Sequence, residues 1–136
     1  MQRFALTAAL AVSALASAAA AEPVTFQFET GQRAGVIMMA VYDSAQTYGA
    51  GRPVAAQALP VTAGQTEITL DLPAGDYGMK AFHDINGDGQ MNTNPFGMPT
   101  EPYAFSNNAV GNMGPAGWDR AHFEVSGATT QTIVIR

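Results

Sequence analysis

Oxygen-bearing side chains recur at alternate positions between Asp84 and Asn92, a stretch that reads Asp-Ile-Asn-Gly-Asp-Gly-Gln-Met-Asn. Counting Asp84 as position 1, they stand at positions 1, 3, 5 and 9, and Gly89 stands at position 6. A hard cation of the size of calcium takes about six to eight oxygens, and EF-hand loops supply them with this spacing and a turn glycine at position 6. The spacing therefore predicts a loop that binds calcium.

The twelfth position of such a loop should supply a bidentate glutamate, but it is occupied here by Pro95, which has no side-chain oxygen. The missing ligand must then come from farther along the chain. Glu101 is the first choice, as the only acidic residue between Asp88 and Asp119, while Asp119 itself and Asn94 are lesser candidates. The predicted ligand set, with Gln90 contributing its backbone carbonyl, is Asp84, Asn86, Asp88, Gln90, Asn92 and Glu101.

Two other interpretations of this stretch stay open. Asn-Gly-Asp-Gly is also the composition of an ordinary tight turn that needs no metal, and a cation other than calcium is a further alternative. Electrostatics favours a cation, because Asp84 and Asp88 held close together in a compact loop would repel each other unless a positive charge compensates.

The rest of the long stretch up to Asp119 is rich in Asn, Gly and Pro but too aromatic for a disordered linker. We expect Phe96, Tyr103 and Phe105 to fold back on the protein. Tyr103, Phe105 and Trp118 are candidates for a platform that binds a sugar or peptide. The alternative is that these aromatics pin the loop to the core, with Trp118 as a core anchor.

Catalytic patterns are sparse. The chain has no cysteine and only two histidines, His83 and His122, and Ser106 lies in no G-x-S-x-G context. A non-catalytic binding or accessory role is therefore favoured. A small-ligand or carbohydrate-binding protein is one alternative, and a hydrolase using a metal-bound water near His83 is another.

Seven segments have strand character, several of them alternating apolar and polar residues. They are separated by turn signals, and Pro60 marks the third segment as an edge strand. We predict an all-β protein, a seven-stranded antiparallel β-sandwich of the immunoglobulin or transthyretin-like type with one long loop. The predicted strands are 24–29, 36–42, 54–61, 66–72, 77–83, 121–125 and 130–135. The segment 43–53 is predicted to be a polar loop.

The first 21 residues resemble an export signal. Arg3 precedes an apolar run from Phe4 to Leu15, and Ala19-Ala20-Ala21 fits the small-x-small pattern at which signal peptidases cleave. The run is too short for the roughly 20 residues of a membrane span. We predict a cleaved signal peptide at 1–21, a single domain at 22–136, and a periplasmic or secreted location.

Charge narrows the choice of partners. Without Arg3, five basic residues face eleven acidic ones, so the net charge of the mature chain is 5 − 11 = −6. This excess argues against nucleic acid and anionic membranes as partners, since both attract basic surfaces. It is compatible with a cation, and the expected ligand is an unidentified protein, peptide or sugar.

Three ordered motifs carry a family resemblance. They are Phe82-His83-Asp84-Ile85-Asn86-Gly87-Asp88-Gly89, Phe96-Gly97-Met98-Pro99-Thr100-Glu101 and Phe105-Ser106-Asn107-Asn108. Together they resemble the bacterial domain-of-unknown-function family 2141, over essentially the whole chain after residue 21. The resemblance implies an exported β protein without an established activity. Asn92 stands where members often carry aspartate, which would weaken a cation site. The hairpin Leu72-Pro73-Ala74-Gly75-Asp76-Tyr77 also resembles a turn of transthyretin-like and carboxypeptidase-regulatory-like sandwiches.

Overall fold

A computed structural model describes residues 20–31, 34–61 and 66–136. The predicted signal peptide lies outside these residues except for its last two positions. Within them the chain forms eight strands and two short helices, α1 (Ala45–Ala50) and α2 (Trp118–Ala121). The strands are β1 (Ala21–Thr30), β2 (Val36–Tyr42), β3 (Ala55–Pro60), β4 (Glu67–Pro73), β5 (Gly75–Asp84), β6 (Tyr103–Phe105), β7 (Phe123–Val125) and β8 (Thr129–Ile135).

The strands form two sheets, as the sequence predicts for a sandwich. One sheet has the order β4-β1-β8, and the other has the order β3-β2-β5-β6, with β7 paired to the first residues of β5. The predicted number of seven strands is wrong, because β6 lies inside the stretch that was predicted to be one long loop. The sheets are also not purely antiparallel, since β1 and β8 run parallel from the pair Val24 and Thr129 onward.

The core lies between the two sheets and follows the alternation that the sequence predicts. Val24, Phe26 and Phe28 of β1 point inward and are buried. On β2 the side chains of Ile37, Met39 and Val41, at alternate positions, point inward and are buried. Burial of such side chains stabilises the fold by about 1.5–3 kcal/mol each.

The opposite face of the five-stranded sheet carries a second buried group, which we call the outer cluster. It consists of Tyr42, Tyr48, Phe105, Ala116 and Ala121, with Trp118 partly buried against them. Helix α1 lies in the segment 43–53, so the prediction of a polar loop there is wrong. A capping box between Ser44 and Thr47 starts the helix, which offsets the low stability of so short an element.

Lys80 and Gly78 of β5 shape the contacts of the outer cluster. The Lys80 ammonium lies 4.1 Å from the centroid of the Tyr48 ring and donates a hydrogen bond of 2.8 Å to the Tyr48 carbonyl. A side chain at Gly78 would come within 3.0 Å of both Trp118 and Tyr48. The small residue on β5 is what lets the two aromatic rings lie against the sheet.

Ser106, Asn107 and Asn108 form a single 3-10 turn after β6, which we call the Ser-Asn-Asn anchor. Ser106 is completely buried, accepts the Met79 backbone N–H and donates to the Ala121 carbonyl. The bond to Met79 lies on β5 between its pairing with β7 and its pairing with β6, and the bond to Ala121 ties this point to α2. Asn107 and Asn108 have φ of 62° and 50°, a region that asparagine tolerates better than most residues.

Asn108 takes the place of a neighbouring strand at the edge of β8. Its Nδ2 donates to the Thr132 carbonyl and its Oδ1 accepts the Val134 N–H, each at 2.9 Å. Free strand edges invite association with other chains. The side-chain amide satisfies part of this edge and ties the segment after β6 to the other sheet.

Candidate functional site

The stretch from Asp84 to Glu101, which we call the acidic loop, begins where β5 passes closely beside Gly35. A side-chain carbon at Gly35 would lie 2.1 Å from the Asp84 carbonyl oxygen, and the φ of this glycine is +80°. Only glycine fits both conditions. The close approach fixes the end of β5 and leaves Asp84 buried, with 2% of its surface exposed.

The first turn of the acidic loop wraps around the Asp84 carboxylate. Oδ1 accepts the Gly87 N–H at 3.0 Å, and Oδ2 accepts the Gly89 N–H at 2.7 Å. Both glycines have positive φ, +73° and +77°. The two glycines of the motif thus bend the backbone so that its donors point at one buried carboxylate.

Glu101 closes the loop from its other end. Its Oε2 accepts the Ile85 N–H at 2.7 Å and its Oε1 accepts the Asn92 N–H at 3.1 Å. The side chain is 8% exposed. Ile85 and Asn92 precede Glu101 by 16 and 9 positions in the sequence, so the Glu101 side chain joins the beginning and the middle of the loop to its end.

Asp88 faces the same point from the solvent side. The Gln90 N–H donates to its Oδ1 at 3.0 Å, and the Asn92 Nδ2 donates to its Oδ2 at 2.8 Å. The Gln90 amide first, and the Asn92 side chain next, lower the pKa of Asp88 below its ordinary value of 3.8. Asn86 also contacts this carboxylate and donates to the Asn92 Oδ1 at 3.1 Å.

Ligand atoms of Asp84, Asp88 and Glu101 all lie within 4.8 Å of one another. The structure therefore brings together the five side chains that the sequence predicted as ligands, while Gln90 contacts Asp88 through its N–H. The amides of Asn86 and Asn92 turn Nδ2 donors towards Asp88. To ligate a cation, both would have to rotate and present Oδ1 instead.

The two lesser candidates serve other roles. Asn94 Oδ1 accepts the N–H groups of Phe96 and Met98 and so shapes a tight hairpin at the tip of the loop. Asp119 lies in the first turn of α2. The tip exposes 89% of Phe96 and 61% of Met98. The expectation that Phe96 folds back on the protein is therefore wrong.

Neither histidine belongs to the carboxylate cluster of the acidic loop, although His83 directly precedes Asp84 in the sequence. The His83 ring is buried and bonds through Nε2 to the Ala34 carbonyl. The His122 ring bonds through Nδ1 to the Trp118 carbonyl. Among residues 20–31, 34–61 and 66–136, the cluster of Asp84, Asp88 and Glu101 is the only group of three or more His, Cys, Asp or Glu side chains close enough to share a metal ion. It contains neither histidine.

The three aromatics predicted to form a ligand platform differ in their environments. Phe105 is 7% exposed and belongs to the outer cluster. The Trp118 ring stacks on His122 with centroids 5.5 Å apart and meets the Tyr48 ring at 5.7 Å. Tyr103 is 41% exposed, with the Phe105 ring packed against it at 5.8 Å. Of the three, Tyr103 is the ring that presents a substantial surface to solvent.

Sequence reasoning missed the surroundings of Tyr103. A groove of about 440 Å³ runs beside it, lined also by Asn108, Val110, Val134 and Arg136. These residues come from β6, the Ser-Asn-Asn anchor and the segment after it, and the end of β8 with the residue that follows it, so their proximity depends on how the strands pair. An apolar residue, Val110, within a segment rich in Asn and Gly is the weak signal that the sequence alone offered.

No helix in the described parts of the chain has the length and apolar character needed to cross a bilayer. No curated protein sequence matches the chain. A crystal structure from Bacteroides thetaiotaomicron, described as "putative polysaccharide binding proteins (DUF1812)", is similar with a TM-score of 0.47 and 12% identity. The match covers 84% of this chain but 46% of that one, so the chain spans less than half of that protein. A likeness this distant supports no argument about a ligand.

The sequence model of a bacterial family, described as "Uncharacterized protein conserved in bacteria (DUF2141)", matches residues 24–133. This range contains all three motifs on which the resemblance rested, and it covers most of the chain. The protein belongs to the DUF2141 family.

Proposed function

We propose that this protein is an exported, non-catalytic binding or accessory module whose acidic loop is ordered by a calcium ion. One observation carries the proposal: Asp84, Asp88 and Glu101 direct carboxylates at one point, and two of the three are buried. Burying like charges close together is unfavourable unless a positive charge compensates. The immunoglobulin or transthyretin-like type of the sandwich stays a prediction.

The chemistry of the donor set favours a hard cation. All the candidate ligand atoms are oxygens, from three carboxylates, two amides and the carbonyl of Gln90. Such a set suits calcium better than zinc, which is usually bound by sulfur and imidazole nitrogen. Each oxygen of Asp84 and Glu101 accepts one backbone N–H, which leaves a lone pair on each for a metal.

A thermal melt in calcium against chelator tests the metal. Calcium at about ten times its dissociation constant adds about 1.4 kcal/mol by mass action, enough to raise the melting temperature by several degrees. Glu101→Gln removes one charge from the cluster and is expected to abolish most of this shift. The matched control, Glu124→Gln, changes an exposed residue of β7 and should keep it. An unchanged melting temperature of the unmodified protein at millimolar calcium contradicts the proposal.

Export rests on the sequence of residues 1–21. We propose that the signal peptide is removed after Ala21, which places the chain in the periplasm or outside the cell, where extracellular calcium modules bind at about 10⁻⁴–10⁻³ M. The mass of the protein recovered from the periplasm should correspond to a chain beginning at Glu22. Ala21→Phe should leave a heavier precursor, and a periplasmic protein that retains Met1 argues against cleavage.

A second candidate function is the binding of a small ligand or carbohydrate. The observation that favours it is Tyr103, an exposed aromatic ring beside a groove of a size typical for ligand sites. The two candidates are compatible, because Glu101 lies two residues before Tyr103 and the acidic loop leads directly into β6. The hydrolase alternative invoked His83 beside a metal-bound water, and the His83 ring bonds through Nε2 to the Ala34 carbonyl instead.

A further inference from the structure

We infer that the groove beside Tyr103 binds a saccharide carrying a carboxylate, of the uronic acid class, with Tyr103 as the stacking surface and Arg136 as the partner of the carboxylate. This inference rests on the proposed binding role and names the chemical class of its ligand. It does not depend on calcium. The groove is formed by different residues from the carboxylate cluster.

The partial exposure of the Tyr103 ring favours a sugar as its ligand. The ring is 41% exposed, so it is a surface that remains partly in contact with water. A sugar has both apolar ring faces and many hydroxyl groups, and it therefore matches a half-exposed aromatic ring that is flanked by polar groups. Phe105 packs against the Tyr103 ring at 5.8 Å and holds it in place, which reduces the entropy lost on binding.

The walls of the groove are fixed before any ligand arrives. Asn108 is held by two hydrogen bonds to the backbone of β8, and the Tyr103 N–H donates to the main-chain oxygen of Arg136 at 3.2 Å. Val110, which is 72% exposed, adds an apolar surface beside the ring. The amide of Asn108 is thus a rigid wall, and most of its hydrogen-bonding capacity is already used.

Arg136 selects the charge of the ligand. It is the one residue lining the groove that carries a charged side chain, and it also lines a second groove of about 480 Å³ on the other side of β8. Guanidinium groups bind carboxylates through two parallel hydrogen bonds, which gives both strength and orientation. The guanidinium makes this groove complementary to an anionic group rather than to a cation, even though the protein as a whole carries a net charge of −5.

Isothermal titration calorimetry with trigalacturonate tests the inference, and its methyl ester is the matched ligand without charge. The titrations are run in chelator and repeated at fixed calcium, because uronates themselves bind calcium. We expect the ester to bind about tenfold more weakly than the acid, since hydrogen bonds to charged groups are the stronger ones. Equal affinity for the two, or no binding of trigalacturonate in either condition, overturns the inference.

Two variants locate the site. Arg136→Gln should weaken binding of trigalacturonate about tenfold, and Tyr103→Leu, which keeps an apolar side chain but removes the aromatic face, about fivefold. Phe96→Ala, at the exposed tip of the acidic loop, is the control and should bind normally. Circular dichroism and melting curves verify that each variant is folded. Unchanged affinity in both folded groove variants places the ligand elsewhere and overturns the inference.

The two proposals fail separately. If calcium stabilises the protein but trigalacturonate does not bind, the groove inference is wrong and the calcium proposal stands. If trigalacturonate binds in chelator and the groove variants weaken it, while calcium leaves the melting temperature unchanged, the calcium proposal is wrong and the groove inference stands.

Discussion

The acidic loop and the outer cluster are held together by different forces. In the acidic loop, carboxylates of Asp84 and Glu101 accept backbone N–H groups, and few apolar side chains are buried. In the outer cluster, aromatic rings pack against β5, and Tyr48 donates to the Ala116 carbonyl at 2.7 Å. One region depends on charge and the other on packing, so pH and cations should affect them differently.

The largest expected effect is at Tyr48, which is 4% exposed and contacts both Tyr42 and Trp118. Tyr48→Ala should lower the free energy of unfolding by about 3–5 kcal/mol, as for other buried aromatics replaced by alanine. The loss, measured by urea denaturation, should be the same in calcium and in chelator. Tyr48→Phe, which removes the hydroxyl alone, should cost about 1 kcal/mol. A loss that depends strongly on calcium would show that the two regions are coupled.

Ser106 should give the next largest effect. Ser106→Ala leaves the buried Met79 N–H without its acceptor and removes the donor to the Ala121 carbonyl. Such unpaired buried groups cost about 1–3 kcal/mol, and the change should appear as a lower midpoint of urea denaturation. Ser126→Ala, at an exposed serine, is the control and should stay within about 0.5 kcal/mol. If the two variants are equally stable, the Ser-Asn-Asn anchor does not hold β5 as described.

The strands with clear alternation, one edge strand and the position of the carboxylate cluster could be predicted, because each depends on residues that are close in the sequence. Alternation along β1 gives its buried face, and Pro60 correctly marks β3 as an edge strand. The spacing in the acidic loop brings Asp84 and Asp88 to one point, and the scarcity of acidic residues after Asp88 was enough to single out Glu101. The DUF2141 family was identified from three ordered motifs, and the match confirms it.

What the sequence could not predict depends on contacts between distant residues. Helix α1 is six residues long and buries one side chain, Tyr48, so it shows no helical periodicity. The amide of Asn108 pairs with β8, a role that no local pattern indicates. Phe96 is exposed at the tip of a tight hairpin that the Asn94 side chain shapes through bonds to two backbone N–H groups, a contact that no apolar pattern indicates.

The smallest expected effect is the response of the acidic loop to pH, which the outer cluster should not share. The pKa of Asp88 lies below 3.8 because the Gln90 N–H and the Asn92 side chain donate to its carboxylate. A lowered pKa in the folded state contributes stability above the unfolded pKa, and this contribution is lost as pH falls through the folded value. Since Asp88 is exposed, the change in stability should be small, and resonance positions are the better measurement.

Carboxyl carbon shifts of Asp88, followed by NMR from about pH 5 to about pH 2 in chelator, should give a midpoint below 3.8. Asn92→Ala removes one of the donors and should move the midpoint upwards, towards that ordinary value. Ring resonances of Tyr48 should not follow the midpoint of Asp88, because the carboxylate whose charge acts on this ring is Asp119 and the Tyr48 hydroxyl donates to the Ala116 carbonyl. A midpoint at or above 3.8 would mean that the Gln90 and Asn92 donors do not hold Asp88 in solution. In that case the acidic loop is not preorganised around its carboxylates, and any cation would have to order it from a looser state.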